Sequence, residues 1–314
     1  MLYSAYGLRL DSSFALSGTP TATGPLEGLP SLTLALQSPE ELDSVWRAAG
    51  ERPVWRGLLG DGRELLMERG AVGDLLFSYG ELARFHLDTE MRRLDCAPSG
   101  PGLDWQRTLI GKVIPTISVM LGYEALHAAA IDAPEGVVAI MAPSGSGKST
   151  LATELLARGW PLFADDVLAL SQGEAEVHAH PGTPHMNLAL APPGGIDPLT
   201  LGDTLAILGG ERWLSVRTAT KRPRPVRMLC LLERRPDLAL EIHTLSSNPL
   251  VLAPYMLGLS SDPERQRSRF SLYANLIESA TLVRLTAGVE DSPGLLADLV
   301  ERALARRPEP AVAQ

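Results

Sequence analysis

Residues 142–150 carry the most specific chemical motif of the chain. They read Ala-Pro-Ser-Gly-Ser-Gly-Lys-Ser-Thr and match the phosphate-binding consensus Gly-x4-Gly-Lys-Ser/Thr, with Ala142 in place of the first glycine. In such a loop the backbone N–H groups face phosphate oxygens, the lysine reaches the β- and γ-phosphates, and the hydroxyl after it binds Mg2+. The motif therefore predicts a site for ATP and Mg2+, formed by Ser144, Gly145, Ser146, Gly147, Lys148, Ser149 and Thr150.

The residues on either side of this motif supply the strand and the helix that it requires. Residues 137–141 form an apolar, β-branched run, which is typical of a buried parallel strand. Residues 149–158 place leucines and an alanine on one helical face, and Gly159 follows as a helix terminator. The alternative interpretation is a Gly/Ser-rich turn before an ordinary helix, and the order strand, loop, helix favours the phosphate loop over it.

Two adjacent carboxylates, Asp165 and Asp166, follow the apolar run 160–164. Ligands of open parallel sheets bind at the carboxyl ends of the strands, which is where this pair is expected. Phosphoryl transfer needs one carboxylate on the metal side and one that accepts the proton of the attacking hydroxyl. The alternative is an Asp-Asp turn that only solvates a strand end. The position 17 residues after Lys148 favours the catalytic interpretation.

Three further groups of residues are weaker candidates. His127, in Leu126-His127-Ala128, falls on a predicted strand beside the loop strand, where it could hydrogen-bond Asp165 or be an ordinary core histidine. Lys221 is predicted to add positive charge at the phosphates, with a solvated basic turn as the alternative. The remaining candidates are His178, His180 and His185. No Cys or carboxylate completes a tetrahedral metal set with these histidines, so we interpret them as surface or strand histidines.

Together these motifs resemble the HPr kinase/phosphorylase family, in which a His, the loop, an Arg-Gly dipeptide and Ala-Asp-Asp follow in this order. Here they are His127, residues 142–150, Arg158-Gly159 and residues 164–166. The resemblance implies that Asp165 is the base towards a substrate serine, with His127 hydrogen-bonded to it. It implies that Lys148 is the phosphate clamp and that Ser149 and Asp166 lie on the metal side. The Leu-Glu-x-Arg-Gly-Leu-Gly stretch of HPr kinases does not occur in this sequence.

The whole chain is similar to the HPr-kinase-related enzymes encoded with lasso-peptide systems. The similarity extends over the opening Tyr6-Gly7-Leu8, the core 126–168, the segment 177–181 and the dipeptide Lys221-Arg222. It implies transfer of the ATP γ-phosphate to a serine of a peptide or small protein, in the best-known members the C-terminal serine of a precursor peptide. The open alternatives are an HPr-type serine kinase/phosphorylase, a small-molecule P-loop kinase, a phosphoenolpyruvate carboxykinase-like enzyme and a non-enzymatic ATP sensor.

Composition narrows the classes of protein further. The net charge of −9 over 314 residues argues against nucleic-acid binding, and no apolar run is long enough for a membrane helix. The two cysteines, Cys96 and Cys230, have no metal-ligand spacing, so we expect buried thiols and a cytoplasmic location. Only three of the 28 basic residues are lysines, namely Lys112, Lys148 and Lys221, which draws attention to each of them.

The expected fold class is α/β, with a P-loop kinase core of the HPr kinase/PEP carboxykinase-like type. A linker at residues 97–102 divides a small β-rich (α+β) N-terminal domain, residues 1–100, from a catalytic domain, residues 103–308. The N-terminal domain is expected to recognise substrate or mediate assembly. HPr kinases assemble as hexamers, so the resemblance leaves open whether this chain forms a homo-oligomer. Locally, the patterns predict one strand over 2–10, a helix over 105–121 broken at Pro115, and a helix over 248–257.

Overall fold

The structure is a computed structural model and describes residues 1–46, 53–58, 62–143, 145–192, 194–217, 219–258 and 262–305. Within these ranges it is a mixed α/β protein with two large sheets and one small sheet. Cys96 and Cys230 are both buried free thiols, as predicted. None of the helices in the described ranges combines the length and apolarity that a membrane span requires.

The first large sheet lies in residues 2–98 and has the strand order β1-β2-β3-β8-β7-β6-β5-β4. Its strands are β1 (Leu2–Ala5), β2 (Leu8–Ser12), β3 (Ser31–Leu36), β4 (Trp55–Leu58), β5 (Glu64–Arg69), β6 (Leu75–Tyr79), β7 (Ala83–Asp88) and β8 (Arg93–Pro98). Alternate residues such as Leu32 and Leu34 are fully buried, which is the period-two pattern of a strand with one face on the core. Helix α1 (Pro39–Val45) begins with a capping box between Ser38 and Glu41.

The strand predicted over 2–10 is interrupted, because Tyr6 and Gly7 form a tight turn with φ of +55° and +78°. A Cβ atom at Gly7 would lie 2.4 Å from the ring of Tyr123, so the turn requires glycine there. This turn is held against later parts of the chain. The Tyr6 N–H donates to the Pro181 carbonyl at 2.8 Å, and the Ser118 hydroxyl donates to the Tyr6 carbonyl at 2.6 Å.

A helical segment connects the two large sheets. It comprises α2 (Asp104–Thr108), a π-helical turn (Leu109–Val113) and α3 (Ile114–Met120). The predicted break at Pro115 takes the form of this π-helical turn, since proline has no N–H to donate and its ring crowds the preceding turn. Lys112 lies in this π-helical turn, and π-turns of this kind are frequent at functional sites.

The second large sheet has the order β12-β10-β11-β18-β14-β13-β9-β20, with β21 beside β18 and β19 beside β21. Its strands are β9 (Glu124–Leu126), β10 (Ala129–Ala133), β11 (Gly136–Met141), β12 (Leu162–Ala164), β13 (Leu168–Gln172), β14 (Val177–His180), β18 (Arg224–Arg234), β19 (Glu241–Thr244), β20 (Met256–Leu257) and β21 (Thr281–Ala287). A small sheet packs nearby and consists of β15 (His185–Ala189), β16 (Gly202–Leu208) and β17 (Glu211–Val216).

Helices cover both faces of the second sheet. On one face, α4 (Lys148–Ala157) and α7 (Pro293–Ala305) share a core with Val138 and Ile140. On the other face, α6 (Pro263–Ser279) shares a core with Ala139. This explains why β11 is apolar at every position, since a strand buried on both faces has no solvated side. The short α5 (Pro198–Leu201) precedes β16. The helix predicted over 248–257 is a 3-10 helix (Pro249–Tyr255) followed by β20, and Pro254 lies inside it.

Strand directions bring several chain segments to one edge of this sheet. β11, β18 and β21 are mutually parallel, and β12 runs in the same direction because both it and β11 pair antiparallel with β10. The carboxyl ends of β11, β12, β18 and β21 therefore meet at the edge where β10 begins. This is the edge at which open α/β sheets bind their ligands.

Candidate active site

The phosphate-loop sequence connects β11 to α4 at this edge. Gly145 and Gly147 have φ of +80° and +92°, a left-handed conformation that glycine adopts without steric cost. Gly147 is the N-cap of α4 and contributes no side-chain hydrogen bond, so the first N–H groups of the helix lack a side-chain cap. Such N–H groups attract anions. Ser146 and the first-turn residues Ser149 and Thr150 belong to this loop and helix, whereas Ser144 lies outside the described residues.

Lys148 and Asp166 form the central ion pair of the site. Nζ of Lys148, whose side chain is only 8% exposed, donates to Oδ1 of Asp166 at 3.0 Å. Lys112 approaches the other oxygen, with Nζ 3.8 Å from Oδ2 of Asp166. The Asp166 carboxylate thus lies between two ammonium groups. In the sequence, Lys112 precedes β11 and Lys148 follows it.

The chain turns sharply after β12, and this separates the two predicted carboxylates. Asp166 has φ of +64°, a region that Asp tolerates better than most residues, and the Val167 N–H donates to the Asp165 carbonyl at 2.8 Å. The Asp165 side chain points to the small sheet, where its Oδ2 accepts from the backbone N–H of Asn187 at 3.2 Å. Its Oδ1 is buried and has no hydrogen-bond partner among the described residues.

These surroundings shift the pKa values of the two acids in opposite directions. Burial, together with the charge of Asp166, raises the pKa of Asp165 above its ordinary value. Burial also raises the pKa of Asp166, but the charges of Lys148 and Lys112 outweigh this effect. They hold the pKa of Asp166 below its ordinary value. Neighbouring groups with diverging pKa values are a recognised sign of a division of acid–base roles.

His127 lies at the same edge, in the bend between β9 and β10, and interacts electrostatically with Lys148, Asp166 and Lys112. Burial lowers the pKa of His127, Lys148 lowers it further, and Asp166 opposes the shift, so this environment favours the neutral imidazole. The expected hydrogen bond from His127 to Asp165 is not present within the described residues, since Oδ1 of Asp165 is unpartnered and Oδ2 accepts from Asn187. That part of the prediction is wrong, because the turn at Asp166 directs Asp165 away.

Two residues that no sequence motif assigned to a role also belong to this cluster. Lys112 arrives on the π-helical turn, and the scarcity of lysine was the signal that could have identified it. Tyr6 arrives on the turn between β1 and β2, and burial together with the charges of Asp165 and Asp166 raises the pKa of its hydroxyl to about 12. Nothing in the local sequence indicates this position for Tyr6, because it depends on contacts between distant segments.

Lys221 is not brought to the cluster. It is exposed and lines a surface cavity with residues such as Gly18, Pro184 and Arg217, a lining that includes neither loop residues nor the acids. The interpretation of the histidines agrees with their surroundings. Nε2 of His180 pairs with the Ser171 hydroxyl at 2.7 Å, and Nε2 of His185 with the Ser17 carbonyl at 2.8 Å.

Oxygen atoms that could bind Mg2+ lie at this edge of the sheet. Mg2+ prefers oxygen ligands, takes one or two from the protein and completes its shell with water and phosphate oxygens. Ser149 in the first turn of α4 and Asp166 offer such oxygens, and the unpartnered Oδ1 of Asp165 is a third at the same turn. The donor set fits Mg2+. In the ranges that the structure describes, no group of three or more His, Cys, Asp or Glu residues forms a metal cluster.

Comparison with known proteins gave little information. No family model and no curated protein matches this chain. Among solved structures, the HPr(Ser) kinase/phosphatase from Coxiella burnetii matches with 16% sequence identity and a TM-score of 0.33, over 58% of this chain and 96% of that one. A TM-score this low does not define the fold or the function of this chain.

Proposed function

We propose that this chain is an ATP-dependent kinase that transfers the γ-phosphate to a serine hydroxyl of a peptide. The observation that carries the proposal is the convergence, at one sheet edge, of a phosphate-loop lysine with a buried carboxylate oxygen that has no partner in the part of the chain that the structure describes. Lys148 is 3.0 Å from Asp166, and the adjacent Asp165 presents its unpartnered Oδ1. A phosphate clamp and a proton acceptor next to each other are what phosphoryl transfer to a hydroxyl requires.

In the proposed reaction the serine oxygen attacks the γ-phosphorus, and the bond from that phosphorus to the β–γ bridging oxygen breaks. ADP leaves with the bonding electron pair, and the serine proton passes to Oδ1 of Asp165. The raised pKa of Asp165 makes it a better acceptor than an ordinary aspartate. Lys148 and the N–H groups of α4 stabilise charge on the phosphates. Ser149 and Asp166 would hold Mg2+, which would neutralise negative charge on the phosphates when bound.

The acceptor is proposed from the sequence resemblance described above. The related enzymes of lasso-peptide systems phosphorylate a precursor peptide, in the best-known members at its C-terminal serine, and we propose the same substrate class here. A cytoplasmic location fits this substrate, and the net charge of −9 is a reason not to expect nucleic acid as a partner.

The test is an ATP-consumption assay with candidate peptides that end in serine, followed by mass spectrometry to locate one added phosphate. We expect Lys148→Ala and Asp165→Asn to reduce transfer by at least 100-fold, while Arg267→Ala, an exposed arginine on α6, leaves it unchanged. Circular dichroism checks that each variant is folded.

The results also separate the alternative functions. Phosphorylation of HPr or of a small molecule instead of peptides would identify a kinase with another acceptor. Tight ATP binding without transfer to any acceptor would identify an ATP sensor. Full activity of the Asp165→Asn variant would remove Asp165 as the base.

A further inference from the structure

Arg234 occupies a position beside the phosphate loop that no motif indicated. It is the last residue of β18, which runs parallel to β11, so its side chain begins at the carboxyl edge of the sheet. A Cβ atom built on Gly147 would lie 3.3 Å from Nη1 and 3.5 Å from Cδ of Arg234. The guanidinium group therefore packs directly on the residue that caps α4.

One side of this guanidinium is fixed by backbone carbonyl groups of the loop that follows β21. Nε donates to the Gly288 carbonyl at 3.3 Å, and Nη2 donates to the carbonyls of Gly288, Val289 and Asp291 at 3.2, 2.8 and 2.8 Å. Nη1, the nitrogen nearest to Gly147, has no acceptor within the described residues. An arginine has five N–H donors, so two of them remain for another group.

The charge of Arg234 is also uncompensated. No carboxylate of the described residues lies within ion-pair distance of it, and the Asp291 carboxylate is engaged by the Gly288 N–H at 2.7 Å. A cation at the N-terminus of a helix is opposed by the helix dipole, which favours anions there. An immobilised, partly buried guanidinium in that position is stabilised when an anion lies between it and the helix.

We infer that Arg234 binds the phosphate chain of the nucleotide through Nη1, on the side of the loop opposite the Lys112–Asp166 cluster. This inference rests on the proposed function, since it assigns a further contact to the same nucleotide. The loop 288–291 orients the guanidinium, so that little conformational entropy is lost when the phosphate binds.

The test is calorimetric titration of Mg·ATP into the full chain and into three variants. Arg234→Gln keeps a donor for the carbonyl groups but removes the charge, Arg234→Lys keeps the charge, and Arg235→Ala is the matched control. Arg235 is exposed and forms its ion pairs with Glu233 and Asp237. We expect Kd to rise about 10- to 100-fold for Arg234→Gln, which is the range for one charge-assisted hydrogen bond. We expect a smaller rise for Arg234→Lys and less than twofold for Arg235→Ala.

Salt dependence separates a phosphate contact from a purely structural role. If Arg234 contacts phosphate, the difference in Kd between the original chain and Arg234→Gln shrinks as ionic strength rises. Arg234 variants that bind ATP within twofold of the original chain, or a difference independent of salt, would overturn this inference and leave the proposed function intact. An original chain that binds no ATP would overturn both.

Discussion

The two adjacent acids of the site are expected to affect stability in opposite directions, and this can be measured without knowing the substrate. Asp165 has a raised pKa, so its contribution to stability is fully present below the unfolded pKa of about 4 and is lost as pH rises through the folded value. Asp166 has a lowered pKa, so its contribution is present above about pH 4 and is lost as pH falls through the folded value.

Replacing Asp165 by Asn removes the pH-dependent term. At pH 8 the ionised carboxylate of the original chain has a buried oxygen without a partner among the described residues, and an arrangement of this kind costs about 1–3 kcal/mol. A chain of this size changes its Tm by roughly 2 °C for each kcal/mol. We therefore expect Asp165→Asn to raise Tm by about 2–6 °C at pH 8, and by progressively less as pH falls towards 4.

Asp166→Asn is the matched control, because it makes the same chemical change at the next residue. It leaves the Nζ of Lys148, which is nearly buried, without its 3.0 Å partner. Breaking a fully buried pair costs about 3–5 kcal/mol, and because Asp166 is 30% exposed we expect about 1–3 kcal/mol. Its Tm should fall at pH 8, with the loss fading at low pH.

The measurement is thermal unfolding of the three proteins by circular dichroism between pH 4 and pH 8.5. An Asp165→Asn variant that is less stable than the original chain at pH 8 would contradict this prediction. So would Asn variants that both shift Tm in the same direction, because the turn after β12 would then not separate the environments of the two acids.

Two further variants test other parts of the site. Lys112→Met should reduce phosphoryl transfer about tenfold, since it removes one cation from the cluster. Because Lys112 lowers the pKa of His127, the same variant should raise that pKa in an NMR titration. An unchanged His127 titration would contradict the placement of Lys112. Gly147→Ala should weaken ATP binding at least tenfold and lower Tm by a few degrees. The reason is that φ of +92° costs about 1–2 kcal/mol for alanine and that the added methyl group contacts Arg234. Unchanged ATP affinity by calorimetry would contradict the loop assignment.

The parts of the site that are contiguous in sequence were predictable. The strand predicted over 137–141 is β11 (Gly136–Met141), and the helix predicted over 149–158 is α4 (Lys148–Ala157). The acids follow a strand, as expected. Each of these inferences needed only local information, namely apolar runs, the glycines of a turn and a helix terminator.

The parts that depend on long-range contacts were not predictable from the sequence. Lys112, Tyr6 and Arg234 come from three separate segments, namely the π-helical turn, the turn between β1 and β2 and the end of β18, which the tertiary fold brings to one edge. The predicted hydrogen bond between His127 and Asp165 failed for a related reason. A sequence does not reveal that the second of two adjacent aspartates adopts a left-handed conformation, and that conformation decides where the first one points.

The positively charged residues of the site come from separate segments but act on the same region. Lys148, Lys112 and Arg234 contribute three positive charges near the N-terminus of α4, and Asp166 compensates the two lysines only in part. Asp165, with its raised pKa, is the acid of the pair that protonates more readily. The edge is therefore poised to receive a polyanion, and a nucleotide's phosphates can take over Lys148 from Asp166. That exchange would free the Asp166 carboxylate, which Lys112 also approaches at 3.8 Å, for the metal side of the site.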